Sequence, residues 1–386
     1  MYSSLTVAVA GAGFIGPVHV EGLRRLGIRV KGLAGKDLAE SEAACAQIGL
    51  AHAYASIDEL LADDEVDAVH LAVPNVLHYP MVKKALAAGK HVMCEKPLAM
   101  TAEQGKELVQ LAKASGLVAG VNYNLRFYPM NLEVRDRVRG LGAFAKTQPA
   151  RVFTVTGSYQ QDWLLYDTDY NWRVLADQGG ALRAVSDIGT HWLDAVHFVT
   201  GLKVESLLAD LTTVHPQRHR PVGEVRTFTG DAPAAQATEA IDVTTDDCAS
   251  ILFKFEGGAR GQLFVSQVAA GHKNRLTYDI ATQDAAYEFN SERPNELVIG
   301  RRGSLNQILL KDPGLQMGTA APFINYPGGH NEGFPDTFKQ CFRSFYDAVL
   351  GRDTERLFAS FEDGYRELVL CDAIVESNEK QAWVRV

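Results

Sequence analysis

Long apolar runs are missing from this chain. Nothing in it approaches the roughly 20 consecutive apolar residues that a membrane-spanning helix needs, which excludes a helical membrane protein. Cysteine is scarce and dispersed. The five residues Cys45, Cys94, Cys248, Cys341 and Cys371 form no C-x-x-C pair, which argues against a disulfide framework or a thiolate metal site and for reduced thiols in the cytoplasm. Positive charge is in deficit: Lys and Arg number 38 against 47 Asp and Glu, so nucleic acid is not an expected partner. The basic cluster Arg218-His219-Arg220 reads as solvated loop. The opening Met1-Tyr2-Ser3-Ser4-Leu5 lacks a basic region followed by a long apolar one, so no signal peptide is expected.

What is present has a globular composition, with 386 residues, 46% of them hydrophobic and 22% charged, enough for two domains with sizeable cores. Residues 5–10, 29–34, 66–72, 91–94 and 117–121 are apolar runs of strand length. Residues 17–26, 38–48, 79–88 and 101–115 carry helical patterns between them. That alternation predicts parallel βαβ units in a doubly wound sheet, with strands buried on both faces. Beyond residue 145 the pattern changes. Residues 151–159 alternate, and 248–255 with 260–268 read as a hairpin through Glu256-Gly257-Gly258. Short strands follow at 275–281, 286–289 and 296–299. The fold class is therefore α/β: a dinucleotide-binding domain over 1–123, then a substrate-binding and oligomerisation domain over 124–386 with a large, mostly antiparallel open sheet. An amphipathic helix at 358–377 is expected to fold back on the first domain, and 229–240 to form a flexible loop.

The chemistry begins at Gly11-Ala12-Gly13-Phe14-Ile15-Gly16, which closes a strand and opens a helix. Gly11 permits the tight turn, Gly13 a close approach to a pyrophosphate, and Gly16 close helix–strand packing. The start of that helix offers backbone N–H groups to phosphates. At the end of the second strand, where an acid would hold the ribose 2′-hydroxyl of NAD, stand Gly35 and Lys36, followed by Asp37. Glycine removes the repulsion of a 2′-phosphate and Lys36 offers it a partner; the alternatives are that Asp37 reaches the ribose or that Lys36 is an ordinary solvated charge, so the cofactor is NAD or NADP. Pro74, Asn75 and His78 lie on a loop expected beside the nicotinamide ribose. Glu95-Lys96-Pro97 follows the strand 91–94, which places an ammonium group where a ligand of an open α/β sheet lies. Asp187 and His191, four residues apart, share a face if helical, and an aspartate beside an imidazole suits a histidine base. Such a pair alone is more often structural. Arg126, Trp163, Trp172 and His330 are candidates for a sugar pocket, since rings and forked donors suit a sugar's apolar face and hydroxyls; core packing is an equal account of the two tryptophans.

Together with Tyr123-Asn124-Leu125-Arg126-Phe127-Tyr128-Pro129 and Asn171-Trp172-Arg173, these motifs give the chain a resemblance to the glucose–fructose oxidoreductase, inositol dehydrogenase and rhizopine-catabolism (Gfo/Idh/MocA) family over essentially its whole length. The resemblance implies an N-terminal Rossmann domain and a C-terminal domain whose open sheet buries a homodimer or homotetramer interface. It implies a catalytic set of Lys96, Asp187 and His191, and a Lys96–Pro97 bond that is cis. The expected activity is NAD(P)-dependent hydride transfer to or from a secondary hydroxyl of a sugar, sugar derivative or cyclic polyol. Gly35 departs from the acid common in NAD-using members. The stretches 159–165 and 326–330 are similar to a subgroup of bacterial sugar dehydrogenases of the levoglucosan dehydrogenase type, which favours a pyranose ring carbon. An oxidoreductase with permanently bound cofactor and a non-catalytic sensor of the same fold remain alternatives. A zinc hydrolase is disfavoured, because the histidines lack metal-ligand spacing.

Overall fold

Apolar runs separated by helices produce the expected doubly wound sheet. The computed structural model of the protein describes residues 2–144, 149–223, 237–316, 318–352 and 355–386. The first sheet has the strand order Ala359–Ser360, Ala119–Val121, His91–Cys94, Ala68–Leu71, Thr6–Ala10, Arg29–Ala34, His52–Tyr54. All its pairings are parallel except the one between Ala359–Ser360 and Ala119–Val121. Thr6–Ala10 and Ala68–Leu71 are buried along their whole length, which is why their sequences run apolar without alternation. The chain winds outward from Thr6–Ala10 to His52–Tyr54, then crosses back to Ala68–Leu71. The crevice between the carboxyl ends of Thr6–Ala10 and Ala68–Leu71 is the switch point where such sheets bind ligands.

The second sheet has nine strands in the order Gln307–Leu310, Glu296–Gly300, Ala286–Asn290, Arg275–Thr282, Val152–Gln160, Arg260–Ser266, Cys248–Phe255, Val204–Thr212, Val384–Arg385. Its pairings are antiparallel apart from that of Val152–Gln160 with Arg260–Ser266. One face is covered by helices. Trp192, on the helix Thr190–Thr200, donates its indole N–H to the Thr277 carbonyl at 2.9 Å. Its ring lies so close over Gly157 that a Cβ there would sit 2.5 Å from Nε1. Glycine in this strand therefore marks a close approach rather than weakness.

Helix Phe361–Lys380 joins the two sheets. Toward the first it packs on Ala102–Ser115, where a Cβ on Gly105 would meet Leu368 at 2.6 Å. Toward the second, its Ser377 hydroxyl and Asn378 side chain accept from the backbone N–H groups of Ala209 and Leu211. Ser360 and Asp363 cap its start reciprocally, a pairing that stops the chain unwinding there. Some elements escaped the sequence reading: His52–Tyr54, Val204–Thr212 and the helix Phe334–Val349. The cluster Arg218-His219-Arg220 is strand, not solvated loop. Arg218 is fully buried, donating to Asp247 and to the carbonyls of Leu164, Tyr166 and Asp169. Of the expected loop 229–240, residues 229–236 lie outside the described residues, while Thr238–Asp242 is a strand paired with Gln217–Pro221. Among the described residues no helix is long and apolar enough to cross a membrane.

Leu368 is buried between the C-terminal helix and the first sheet's helix layer. Leu368→Ala should destabilise the protein by about 2–5 kcal/mol, as cavity-forming core truncations do. Urea unfolding followed by tryptophan fluorescence checks this, and an unchanged midpoint would show that this helix is not part of the cooperative unit.

Candidate active site

At the switch point the glycine turn has three separate physical reasons. Gly11 has φ +116°, and a Cβ there would meet the Ala72 carbonyl oxygen at 2.1 Å, so strand and crossing loop touch backbone to backbone. A Cβ on Gly16 would stand 1.9 Å from the Gly11 carbonyl oxygen, so the helix Ile15–Arg25 packs directly on the turn. Gly13 faces open space, which leaves its backbone approachable. Beside it lies a cavity of about 580 Å³. Phe14, Ile15, Gly35, Lys36, Pro74, Asn75, Glu95, Lys96 and Trp172 all border it, with Gly11 and Gly13. The size and the glycine cradle fit a dinucleotide lying across the strand ends.

Lys96 borders this cavity, after a cis Lys96–Pro97 bond. Its Nζ donates to the Asp187 backbone carbonyl at 2.7 Å and to Asp187 Oδ1 at 2.8 Å. Asp187 sits in a widened π-helical turn, Val185–Gly189, that leads into Thr190–Thr200. The turn is anchored by Asp246, whose carboxylate accepts from the backbone N–H groups of Arg183 and Val185. Gln267 donates to Asp187 Oδ2 at 2.7 Å, and Arg173 Nε lies 3.2 Å from Oδ1. Burial raises the Asp187 pKa, but Lys96 and Arg173 outweigh it and hold the carboxyl well below the ordinary range. His191 is pushed the other way. Burial and the Lys96 charge lower it to about 3, so the imidazole is neutral and able to accept a proton. It is wedged near the rings of Tyr123 and Tyr159, and its Nδ1 is buried with no partner among the described residues.

A glycine turn thus stands at the switch point, with Lys96 on the cavity wall, Asp187 paired to it and His191 within reach of both charges. Residues 5–123 match the family model described as "Oxidoreductase family, NAD-binding Rossmann fold", and residues 148–288 match the GFO/IDH/MocA C-terminal domain. The chain belongs to the Gfo/Idh/MocA oxidoreductase family. A levoglucosan dehydrogenase from Pseudarthrobacter phenanthrenivorans is 28% identical over 99% of this chain and 98% of its own. A solved levoglucosan dehydrogenase in complex with NADH and L-sorbose superposes with a TM-score of 0.86 at 25% identity, covering 99% of this chain and 98% of that one. An oxidoreductase domain protein from Kribbella flavida does so at 0.86 and 26%, covering all of both chains.

Within this family member the residues singled out from sequence divide. Asp187 does not orient His191 by a hydrogen bond, because its carboxylate is taken by Lys96, Gln267 and Arg173. Arg126 is not in the cavity: its guanidinium is buried against Asp194 at 2.8 and 2.5 Å and serves the core. His78 is buried one layer behind, its ring nitrogens facing the carbonyls of Pro97 and Val73, so it braces the Lys96 turn. Trp163 packs on Leu164, Val174 and Val243 with its N–H on Gln161. His330 is exposed on a loop whose carbonyls wrap the buried ammonium of Lys311, away from the cavity lining. Trp172 alone of the four pocket candidates borders the cavity, with the Arg173 guanidinium over its ring.

Sequence reasoning quoted Arg173 within Asn171-Trp172-Arg173 but gave it no role, and it missed Gln267, which follows the strand Arg260–Ser266 with no motif around it. It also missed what holds Glu95. Glu95 Oε1 accepts from Asn122 Nδ2 at 2.5 Å and lies 2.9 Å from His19 Nε2. His19 Nδ1 meets His70 Nδ1 at 2.8 Å, and His70 Nε2 meets the Tyr346 hydroxyl at 2.8 Å. One direction of donation runs along these four groups: Tyr346 donates to His70, His70 to His19, and His19 to Glu95. Burial raises the Glu95 pKa, yet His19, then Lys96 and Asn122, bring it down to about 2.

Because Asp187 titrates below its ordinary 3.8, its stabilisation is complete above that value and is lost as pH falls through the lower native one. The stability gap between wild type and Asp187→Asn should hold steady from about pH 7 to about pH 5 and shrink below about pH 4. Thermal unfolding across that range measures it; a gap that widens in acid contradicts the ion-pair account.

Proposed function

We propose that this protein is a nicotinamide-dependent dehydrogenase that moves a hydride between a secondary hydroxyl of a sugar, sugar derivative or cyclic polyol and the nicotinamide ring, with a pyranose ring carbon favoured. The observation that carries this reading is that Lys96, which borders the glycine-turn cavity, is paired with Asp187 and acts through space on the buried imidazole of His191. The relatives named levoglucosan dehydrogenase support the substrate class. The bound dinucleotide, NAD or NADP, supplies the hydride acceptor.

An ammonium group has three protons, and Asp187 engages two of those on Lys96. The third is left for the oxygen of the reacting hydroxyl, where it stabilises developing negative charge. A ring nitrogen of His191 takes the hydroxyl proton. A low-pKa imidazole is a weak base, so the charge of Lys96 lowers the proton affinity of the oxygen in the same step. Asp187 holds Lys96 in place, with Gln267 and Arg173 fixing both carboxylate oxygens. Trp172 is positioned to cover an apolar sugar face at the cavity rim.

The outer face of the nine-stranded sheet carries Leu252, Phe264 and Ile308 in the open, which supports a homodimer or homotetramer through that face. Light scattering should return a multiple of the chain mass; a monomer at micromolar concentration refutes the assembly.

His191→Ala should lower turnover by about 10²–10⁴-fold on the true substrate while leaving coenzyme affinity nearly intact. Sugars and inositols screened with NAD and NADP in parallel identify that substrate. Near-normal turnover in the variant would remove His191 from the chemistry.

A further inference from the structure

The strand Arg29–Ala34 ends at Gly35, where an acid for the ribose hydroxyls is absent from the sequence. The acid arrives from elsewhere. Glu40, in the first turn of the helix Leu38–Ile48, folds back so that its Oε2 accepts the backbone N–H of Lys36 at 2.6 Å. A Cβ built on Gly35 would come within 2.6 Å of that same oxygen. The carboxylate thus occupies the space where a residue-35 side chain would begin, and Glu40 borders the dinucleotide cavity with Gly35, Lys36 and Ser56.

Other groups of the turn are engaged as well. Gly35 N–H donates to the Ser41 hydroxyl at 2.8 Å, and that hydroxyl donates to the Asp37 carbonyl at 2.8 Å. The Asp37 carboxylate caps the helix by accepting from Glu40 N–H at 2.8 Å, so Asp37 is committed to the helix. A 2′-phosphate needs N–H donors and positive charge. Here the Gly35, Lys36 and Glu40 N–H groups are filled, and of the three charged side chains at 36, 37 and 40, two are acidic. A pair of ribose hydroxyls needs an acceptor, and a carboxylate supplies one.

We infer that Glu40 sets the coenzyme preference, accepting from the adenosine ribose of NAD and repelling the 2′-phosphate of NADP. This rests on the reading of the cavity as a dinucleotide site, and it closes the choice that Gly35 and Lys36 left open. Glycine at 35 is the condition for it rather than a sign of NADP use: any side chain there would expel the Glu40 carboxylate.

Direct binding tests both readings without a sugar. NADH and NADPH are titrated into the intact wild type, Glu40→Ala and Glu40→Gln, following nicotinamide fluorescence, with thermal melts to show that each variant is folded. Wild type should bind NADH more tightly than NADPH. Glu40→Ala should lose about 10- to 100-fold in NADH affinity, the size of one hydrogen bond to a charged group, and gain in NADPH affinity. Glu40→Gln should lie between, since it keeps the shape and removes the charge. A wild type that binds NADPH as well as NADH, or a ratio unmoved by either variant, overturns the role of Glu40 and leaves the dinucleotide reading standing. Failure of wild type to bind either coenzyme overturns both.

Discussion

The ion pair between Lys96 and Asp187 is the contact on which the site depends. Lys96 comes from the end of a strand in the first sheet, Asp187 from a turn lying against the second. Both are nearly enclosed, so breaking the pair would strand buried charge. Lys96 Nζ hydrogen-bonds across to the other half of the molecule, where Gln267 and Arg173 hold the same carboxylate, and the cavity is assembled where the halves meet. Asn75 reinforces the seam by donating to the Gly179 carbonyl at 2.9 Å.

Behind that contact is a graded arrangement of charge. Glu95 stays ionised at the back, fed by a chain of two histidines and a tyrosine that has no access to solvent. Lys96 thus lies between two carboxylates, Glu95 and Asp187, and His191 answers to all three through space. Low local dielectric makes each of these interactions stronger and each unpaired member more costly. This is why so many polar residues near the cavity are buried, and why they are hydrogen-bonded to one another.

Much of the fold was legible because buried parallel strands run apolar and half-buried antiparallel strands alternate. His91–Cys94 shows the first pattern and Cys248–Phe255 the second, and both sit where their sequences place them. His52–Tyr54 has only three residues and one fully buried, too short to show a period. The helix Phe334–Val349 does carry a signal: Phe334, Phe338, Phe342, Phe345 and Tyr346 form one face, and Asp336 accepts from Gly333 N–H at its start. In the site, what motifs and strand ends determine was readable, namely the glycine turn, Lys96, Asp187 and His191. What side-chain reach determines was not. Arg126 looked like a sugar ligand because guanidinium chemistry suits either role, and only its distance from the cavity and its grip on Asp194 decide. Glu40 was invisible for the converse reason, since its carboxylate acts five residues away from the position where a strand-end acid is sought.

The edge strand Ala359–Ser360 and the helix after it have a consequence for how the protein comes to be made. Strand Ala119–Val121 stays an open edge, and Gly105 and Gly120 face no partner, until a segment from far downstream in the chain arrives. The coenzyme-binding half is thus discontinuous in sequence, and a ribosome makes every strand of the second sheet but Val384–Arg385 before it releases the piece that closes the first. During synthesis the nascent nucleotide fold waits with one flank uncovered.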